Sequence, residues 1–240
     1  MFMASHLGEY QFSMRKGYGL VVFWFLFFGF PNIFLLGSWL DGNTDALLFA
    51  LLLWSPAFYL LADRIRSRVH VYSQGLVHQS LFTRKVIKFT PALKMYIRRI
   101  HETIYGVNAA RHVSVRLVQN KVEMKIPSSF LHMEEMVQVL LDYQQAFMLP
   151  AMVQAFNEGK TLNFGAVKLN RNMIAVNNKK FPFDLLRSIE IENGVLRVYS
   201  YTDSGGLFQK GAMSAELSQI ANFDILNYLM TPPEDGVKVY

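Results

Sequence analysis

Two apolar runs open the chain, and short alternating segments fill the rest. Residues 17–40, GYGLVVFWFLFFGFPNIFLLGSWL, form 24 positions without a charge. A membrane span takes about 20 mostly apolar residues. Residues 46–62, ALLFALLLWSPAFYLLA, add 17 more, about 26 Å of helix at the usual rise. Only Asp41-Gly-Asn-Thr-Asp45 lies between them, and five such residues suit a tight turn between antiparallel helices. The pattern predicts a transmembrane helical hairpin over 17–63, preceded by a segment 1–16. A signal-peptide core runs only about 7–15 residues, shorter than the first run. Tyr18, Trp39 and Tyr59 sit near the ends of the runs, where aromatic belts form. Pro31 and Pro56 predict kinks. No Asp, Glu, Lys, Arg or His interrupts either run, which favours an anchor over an ion path.

After Arg68 the period changes to two. Val69–Ser73 and Leu76–Ser80 read as strands joined at Gln74-Gly75. Lys85–Phe89 is a third strand. Met95–Tyr105 is a longer one, with a bulge expected at Arg98-Arg99. Val113, Val115 and Leu117, then Val122, Met124 and Ile126, alternate with polar residues and read as a meander with one apolar face. Ser128 or Ser129 is placed to cap a helix running to Leu149, where Pro150 should end or kink it. The order then repeats. Thr161–Leu169, Met173–Val176 and Lys180–Phe183 read as strands. Asn193-Gly194 is the strongest hairpin signal in the chain. A two-residue turn there pairs Ile191 with Leu196, Ile189 with Val198 and Glu190 with Arg197, the apolar pairs inward. Asn222 is placed to cap a short closing helix carrying Phe223, Leu226, Leu229 and Met230. The expected domains are 64–158, a basic module with a long C-terminal helix; 159–230, a second module; and 231–240, a loose tail.

Composition sharpens this division. The chain is 52% hydrophobic and 18% charged, against about 25% charged for a typical soluble domain. Cysteine is absent, which excludes disulfides, thiolate metal sites and a cysteine nucleophile. The formal net charge of +6 is concentrated. Residues 64–125 carry thirteen Lys and Arg against Glu102 and Glu123 alone. Such asymmetry fits an anionic partner. Arg15 and Lys16 precede the first run, and Arg64, Arg66 and Arg68 follow the second. The loop between has only acids, so the positive-inside rule places both termini in the cytoplasm.

Two apolar helices followed by paired short-strand modules, each closed by a helix, resemble bacterial membrane proteins with pleckstrin-homology-like (PH-like) domains. More narrowly, Glu158-Gly-Lys-Thr-Leu-Asn-Phe-Gly-Ala-Val-Lys-Leu and Phe183-Asp-Leu-Leu-Arg-Ser-Ile-Glu-Ile-Glu-Asn-Gly-Val-Leu resemble an uncharacterised bacterial family. That family has an aromatic-Gly strand and an aromatic-initiated strand before a hairpin; Phe183 stands where Trp is usual. The resemblance covers roughly residues 69–230 and brings no functional residues with it. It implies an α+β fold: an N-terminal transmembrane helical hairpin, then two antiparallel PH-like β modules each closed by a C-terminal helix. The implied localisation is the bacterial inner membrane, multi-pass.

Chemical motifs are scarce. His70 and His78 are the nearest histidine pair on strands, but their register points the rings to opposite faces. No zinc-protease spacing occurs. Gly205-Gly206 lacks the spacing of a phosphate loop and reads as a strand connection. No nucleophile elbow is present. An enzyme is not expected, nor a cofactor or metal. The basic residues carry the functional expectation. Arg64, Arg66, Arg68, Arg84, Lys85, Lys88, Arg116, Lys121 and Lys125 are the candidate lipid-binding set, since basic residues near a membrane attract anionic lipid at about 1 kcal/mol each. The expected function is a membrane-anchored cytoplasmic binding or scaffold protein that contacts anionic phospholipid headgroups or a protein partner. The alternatives are an accessory subunit of a larger membrane assembly and, third, a membrane enzyme acting on an anionic lipid. Nucleic acid is disfavoured, because no aromatic stacking motif accompanies the basic residues.

Overall fold

The computed structural model describes residues 6–42, 44–104, 107–120, 122–201 and 213–231. The chain divides into two compact units, 1–88 with 129–133, and 89–128 with 134–240.

The first unit is built on a four-stranded antiparallel sheet in the order β1 (Tyr10–Arg15), β2 (Arg68–Tyr72), β3 (Gly75–Gln79), β4 (Arg84–Lys88). Strand β1 comes from the segment 1–16, for which the sequence reading proposed no structure. Phe12 and Met14 alternate with Ser13 and Arg15, and Met14 is fully buried. Strands β1 and β2 are neighbours, with Arg15 opposite Arg68. Everything from Lys16 to Ser67 is therefore an insertion at one end of a strand pair. Segment 129–131 is tied to the same end, through Gly17 N–H to Ser129 O (2.8 Å) and Leu131 N–H to Arg15 O (2.9 Å). Ser129 thus contributes its carbonyl to this join, and the expected helix cap does not form there.

The insertion holds two helices, α1 (Gly19–Leu40) and α2 (Thr44–Arg66). They lie side by side, the Phe25 ring 4.9 Å from Trp54. Among the described residues, however, no helix is long and apolar enough to cross a membrane. This overturns the expected transmembrane hairpin, the multi-pass topology, and the inner-membrane localisation with both termini cytoplasmic. Helix-breaking and polar residues interrupt both apolar stretches. Gly29, Pro31 and Asn32 split the sequence of α1 into shorter apolar runs, 19–28 and 33–40. Helix α2 starts on Thr44 and Asp45, contains Pro56, and ends on Asp63, Arg64 and Arg66. The fold is mostly β, four antiparallel sheets with few helices, so the α+β description built around that hairpin is corrected as well.

The second unit holds the other three sheets. The first joins β5 (Lys94–Ile104), β6 (Val107–Gln119) and β7 (Val122–Ile126), with β5 at its edge. Its register slips between Glu102 and Thr103, not at Arg98-Arg99. Met95, Val113, Val115, Leu117, Met124 and Ile126 are among its buried positions. Helix α3 (Met133–Tyr143) buries Met136, Val137 and Leu140 at helical spacing. One π-helical turn, Gln144–Met148, leads into α4 (Leu149–Asn157). Pro150 sits in the first turn of α4, where its missing N–H has no intrahelical partner to lose. The helix is thus reset there and continues instead of ending.

The next sheet is β8 (Leu162–Asn163), β9 (Val167–Leu169), β10 (Met173–Val176) and β11 (Lys179–Pro182). The single strand expected over 161–169 is broken at Gly165, whose φ of +83° bends the chain. The last sheet is β12 (Leu186–Glu192), β13 (Val195–Ser200) and β14 (Met213–Glu216), followed by α5 (Phe223–Met230). The Asn193-Gly194 turn forms with φ of 52° and 75°. It sets the register expected from sequence: Ile191 opposite Leu196, Ile189 opposite Val198, Glu190 opposite Arg197. Burial follows it only in part. Leu196 and Val198 are fully buried, whereas Ile191 is 46% exposed. The ion pair of Arg197 also runs to Glu192, at 2.7 Å. Gly205-Gly206, the tail from residue 232 and Lys121 lie outside the described residues.

Candidate functional site

The first unit's sheet has two faces, set by strand alternation. Phe12, Met14, Val69, Val71, Leu76 and Ile87 share one face through the register, and apart from half-buried Phe12 they are buried. The opposite face carries a row of cations. Arg15 lies opposite Arg68, Arg68 opposite Gln79, and Gln79 opposite Arg84. Neighbouring strands stand about 4.8 Å apart, so one row across four strands holds three guanidinium groups and an amide. Arg15, Gln79 and Arg84 are exposed and Arg68 is half-buried. None of the three arginines has a carboxylate partner among the described residues.

His70 is two residues along β2 from Arg68, on the same face, with the Tyr10 ring 6.3 Å away. Burial pushes its imidazole below its ordinary pKa, and the charges of Arg68 and Arg84 add to that. Lys88 ends the face at the far side, opposite Gly75. The N-terminal segment covers the sheet there. A Cβ on Gly75 would lie 2.6 Å from Leu7 and 2.7 Å from the carbonyl of Ile87, so that close approach requires glycine.

A second polar cluster lies where the helices join the sheet. Lys16 Nζ stands 2.5 Å from Asp63 Oδ2, and Ser67 Oγ donates to Asp63 Oδ1 at 2.7 Å. Burial would raise the Asp63 pKa, but the Lys16 and Ser67 hydrogen bonds, with the Lys16 and Arg64 charges, hold it below its ordinary value. The His78 ring packs edge-on against Phe130 at 5.7 Å. Its Nε2 is buried without a hydrogen-bond partner. Its pKa is lowered by burial and by Lys16 and Lys85, against an opposing effect of Asp63.

The nine residues expected to bind lipid are therefore dispersed. Arg68, Arg84 and Lys88 share the cationic face. Arg66 is exposed in the last turn of α2, but Arg64 is 8% exposed. Lys85 sits opposite His78, on the other side of β4 from Arg84. Arg116 and Lys125 belong to the second unit. Arg116 lies 3.9 Å over the Tyr96 ring, and both approach Glu123, at 3.9 and 3.6 Å. Arg15 was missed, because it was read as a helix flank. The alternation of Phe12 and Met14 was the signal that could have placed it on a strand. His70 and His78 point to opposite faces, as expected, although the turn falls one residue earlier, with Tyr72 opposite Gly75. No grouping of metal-ligating side chains occurs among the described residues.

In comparison with known proteins, the model of a family described as Family of unknown function (DUF6585) matches residues 1–237. No curated protein and no solved structure matches.

Proposed function

The chain belongs to that family of unknown function, and from this premise we propose that it is a non-catalytic binding protein whose first-unit sheet holds the phosphate of an anionic phospholipid. One observation carries this proposal: the strand register sets Arg15, Arg68 and Arg84 in one row with no carboxylate partner among the described residues. Arg15 and Arg68, directly opposite on neighbouring strands, repel, and Arg84 adds a third like charge to the same row. A bound phosphate relieves that repulsion and matches the planar donor fork of arginine. Gln79, between Arg68 and Arg84, offers a further donor.

The full chain is titrated by calorimetry with dihexanoyl phosphatidylglycerol, dihexanoyl phosphatidylcholine and inorganic phosphate. Phosphatidylglycerol should bind and the zwitterionic lipid should not. Inorganic phosphate binding as tightly as phosphatidylglycerol would make the ligand a free phosphate. Changing Arg15, Arg68 and Arg84 together to Gln should cost up to about 3 kcal/mol, at roughly 1 per residue. Affinity should also fall as salt rises, because exposed charges are screened over about 8 Å at physiological ionic strength. Equal binding by the triple variant sinks the proposal. One observation favours a second reading, a subunit of a larger assembly. Phe23, Leu26 and Phe27 on α1, with Leu48 and Leu52 on α2, are exposed, and exposed apolar patches of this kind mark interaction surfaces.

A further inference from the structure

The second unit has a cleft of about 500 Å³ beside β5, well away in sequence from the cationic row. Strand β5 is the edge of its sheet. In an antiparallel pair, alternate residues turn both their N–H and C=O toward the partner strand, and those between turn them outward. The bonds of Met95 identify which set faces out. Met95 N–H donates to Asn222 Oδ1 at 3.0 Å, and Met95 O accepts from Asn222 N–H at 2.8 Å. Asn222 Nδ2 also donates to Leu93 O at 3.0 Å. Asn222 thus acts as one residue of an added strand, held in place by its left-handed φ of 50°.

The same alternation turns the N–H and C=O of Ile97 and Arg99 outward, since the register runs unbroken from Lys94 to Glu102. The cleft is lined by Ile97, Arg98 and Arg99 of β5 and also by Val195, Glu216, Leu217 and Asp224. No hydrogen bond occupies those outward groups among the described residues. Arg98 is exposed and has no carboxylate partner there.

We propose that the open edge of β5 at Ile97 and Arg99 takes up an extended segment of a partner protein as an added strand, with an acidic residue of that segment paired to Arg98. An open strand edge binds an extended backbone through main-chain hydrogen bonds, and its side-chain environment sets the preference. Three to four residues of such a strand span about 10–13 Å. The acid belongs beside Arg98, because Glu216 and Asp224, which also line the cleft, disfavour an acid next to them.

The test uses the full chain and a fluorescein-labelled peptide of eight residues, alternating Thr and Val with one central Asp. Its counterparts carry Lys for Asp, or N-methyl groups on one or the other set of alternate amides. The Asp peptide should bind at least tenfold more tightly than the Lys peptide. Methylation of one alternate set should abolish binding, and methylation of the other should leave it unchanged. Arg98→Glu should reverse the Asp-over-Lys preference. Ile97→Pro removes one outward N–H and should weaken binding tenfold or more; if that variant misfolds, Arg98→Glu carries the test alone. Failure of the Asp peptide to bind, or equal binding by both methylated sets, overturns the proposal.

Discussion

At the scale of single residues, the informative positions are buried polar groups. Asn222 stands where a helix cap was expected, yet its side chain makes no capping bond and serves β5 instead. His78 is the other case. Its pKa lies below the ordinary 6.5, and so does that of His70. The folded protein therefore binds fewer protons than the unfolded chain just below pH 6.5. By linkage, stability is complete above that pH and falls as pH drops through it. Urea unfolding between about pH 8 and pH 5 should show this loss, and His78→Leu should make it shallower. A loss of equal steepness in that variant would show that His78 is not responsible. Asp63 acts lower. Its depressed pKa gives stability that is present above its ordinary 3.8 and lost as pH falls through the folded value.

At the scale of elements, the Asn193-Gly194 hairpin separates register from burial. Both left-handed positions are filled by the residues that tolerate them, so the pairing is a local property. Which strand meets the core is not. Strand β13 alternates half-buried and buried, with Leu196 at 0% exposure, while Ile191 on β12 is at 46%. Leu196→Ala should cost about 2–5 kcal/mol through lost packing and a residual cavity. Ile191→Asp should cost under about 1 kcal/mol, as for an exposed position. Denaturant midpoints at constant slope measure both. A larger loss at Ile191 would mean that another surface covers this strand.

At the scale of the whole molecule, the helices interrupt a strand pair. Arg15 and Arg68 are register partners, so the chain leaves the sheet and returns to it at one point. Replacing residues 17–66 with Asn-Gly should convert the insertion into a two-residue hairpin turn. The first-unit sheet should persist, with slow hydrogen exchange at the amides of β2 and β3. Deleting residues 10–15 should instead expose β2 as an edge and speed exchange there. If the excised protein exchanges as fast as the strand deletion, the helices are needed to hold the sheet.

Short-range physics made a good part of this chain legible from sequence. Alternation located β2, β3 and β4. Asn193-Gly194 placed its turn with the correct register. These features depend on residues within a few positions of each other. Tertiary structure decided the rest, because it joins residues far apart in the chain. Arg15 enters the cationic row only when β1 pairs with β2 across the intervening residues 16–67, which alternation cannot bridge. Asn222 holds the start of β5 through two hydrogen bonds to Met95 and one to Leu93, 127 and 129 positions earlier. Exposure of Ile191 and burial of Arg64 followed from which surfaces meet, and a sequence read one window at a time contains no term for that.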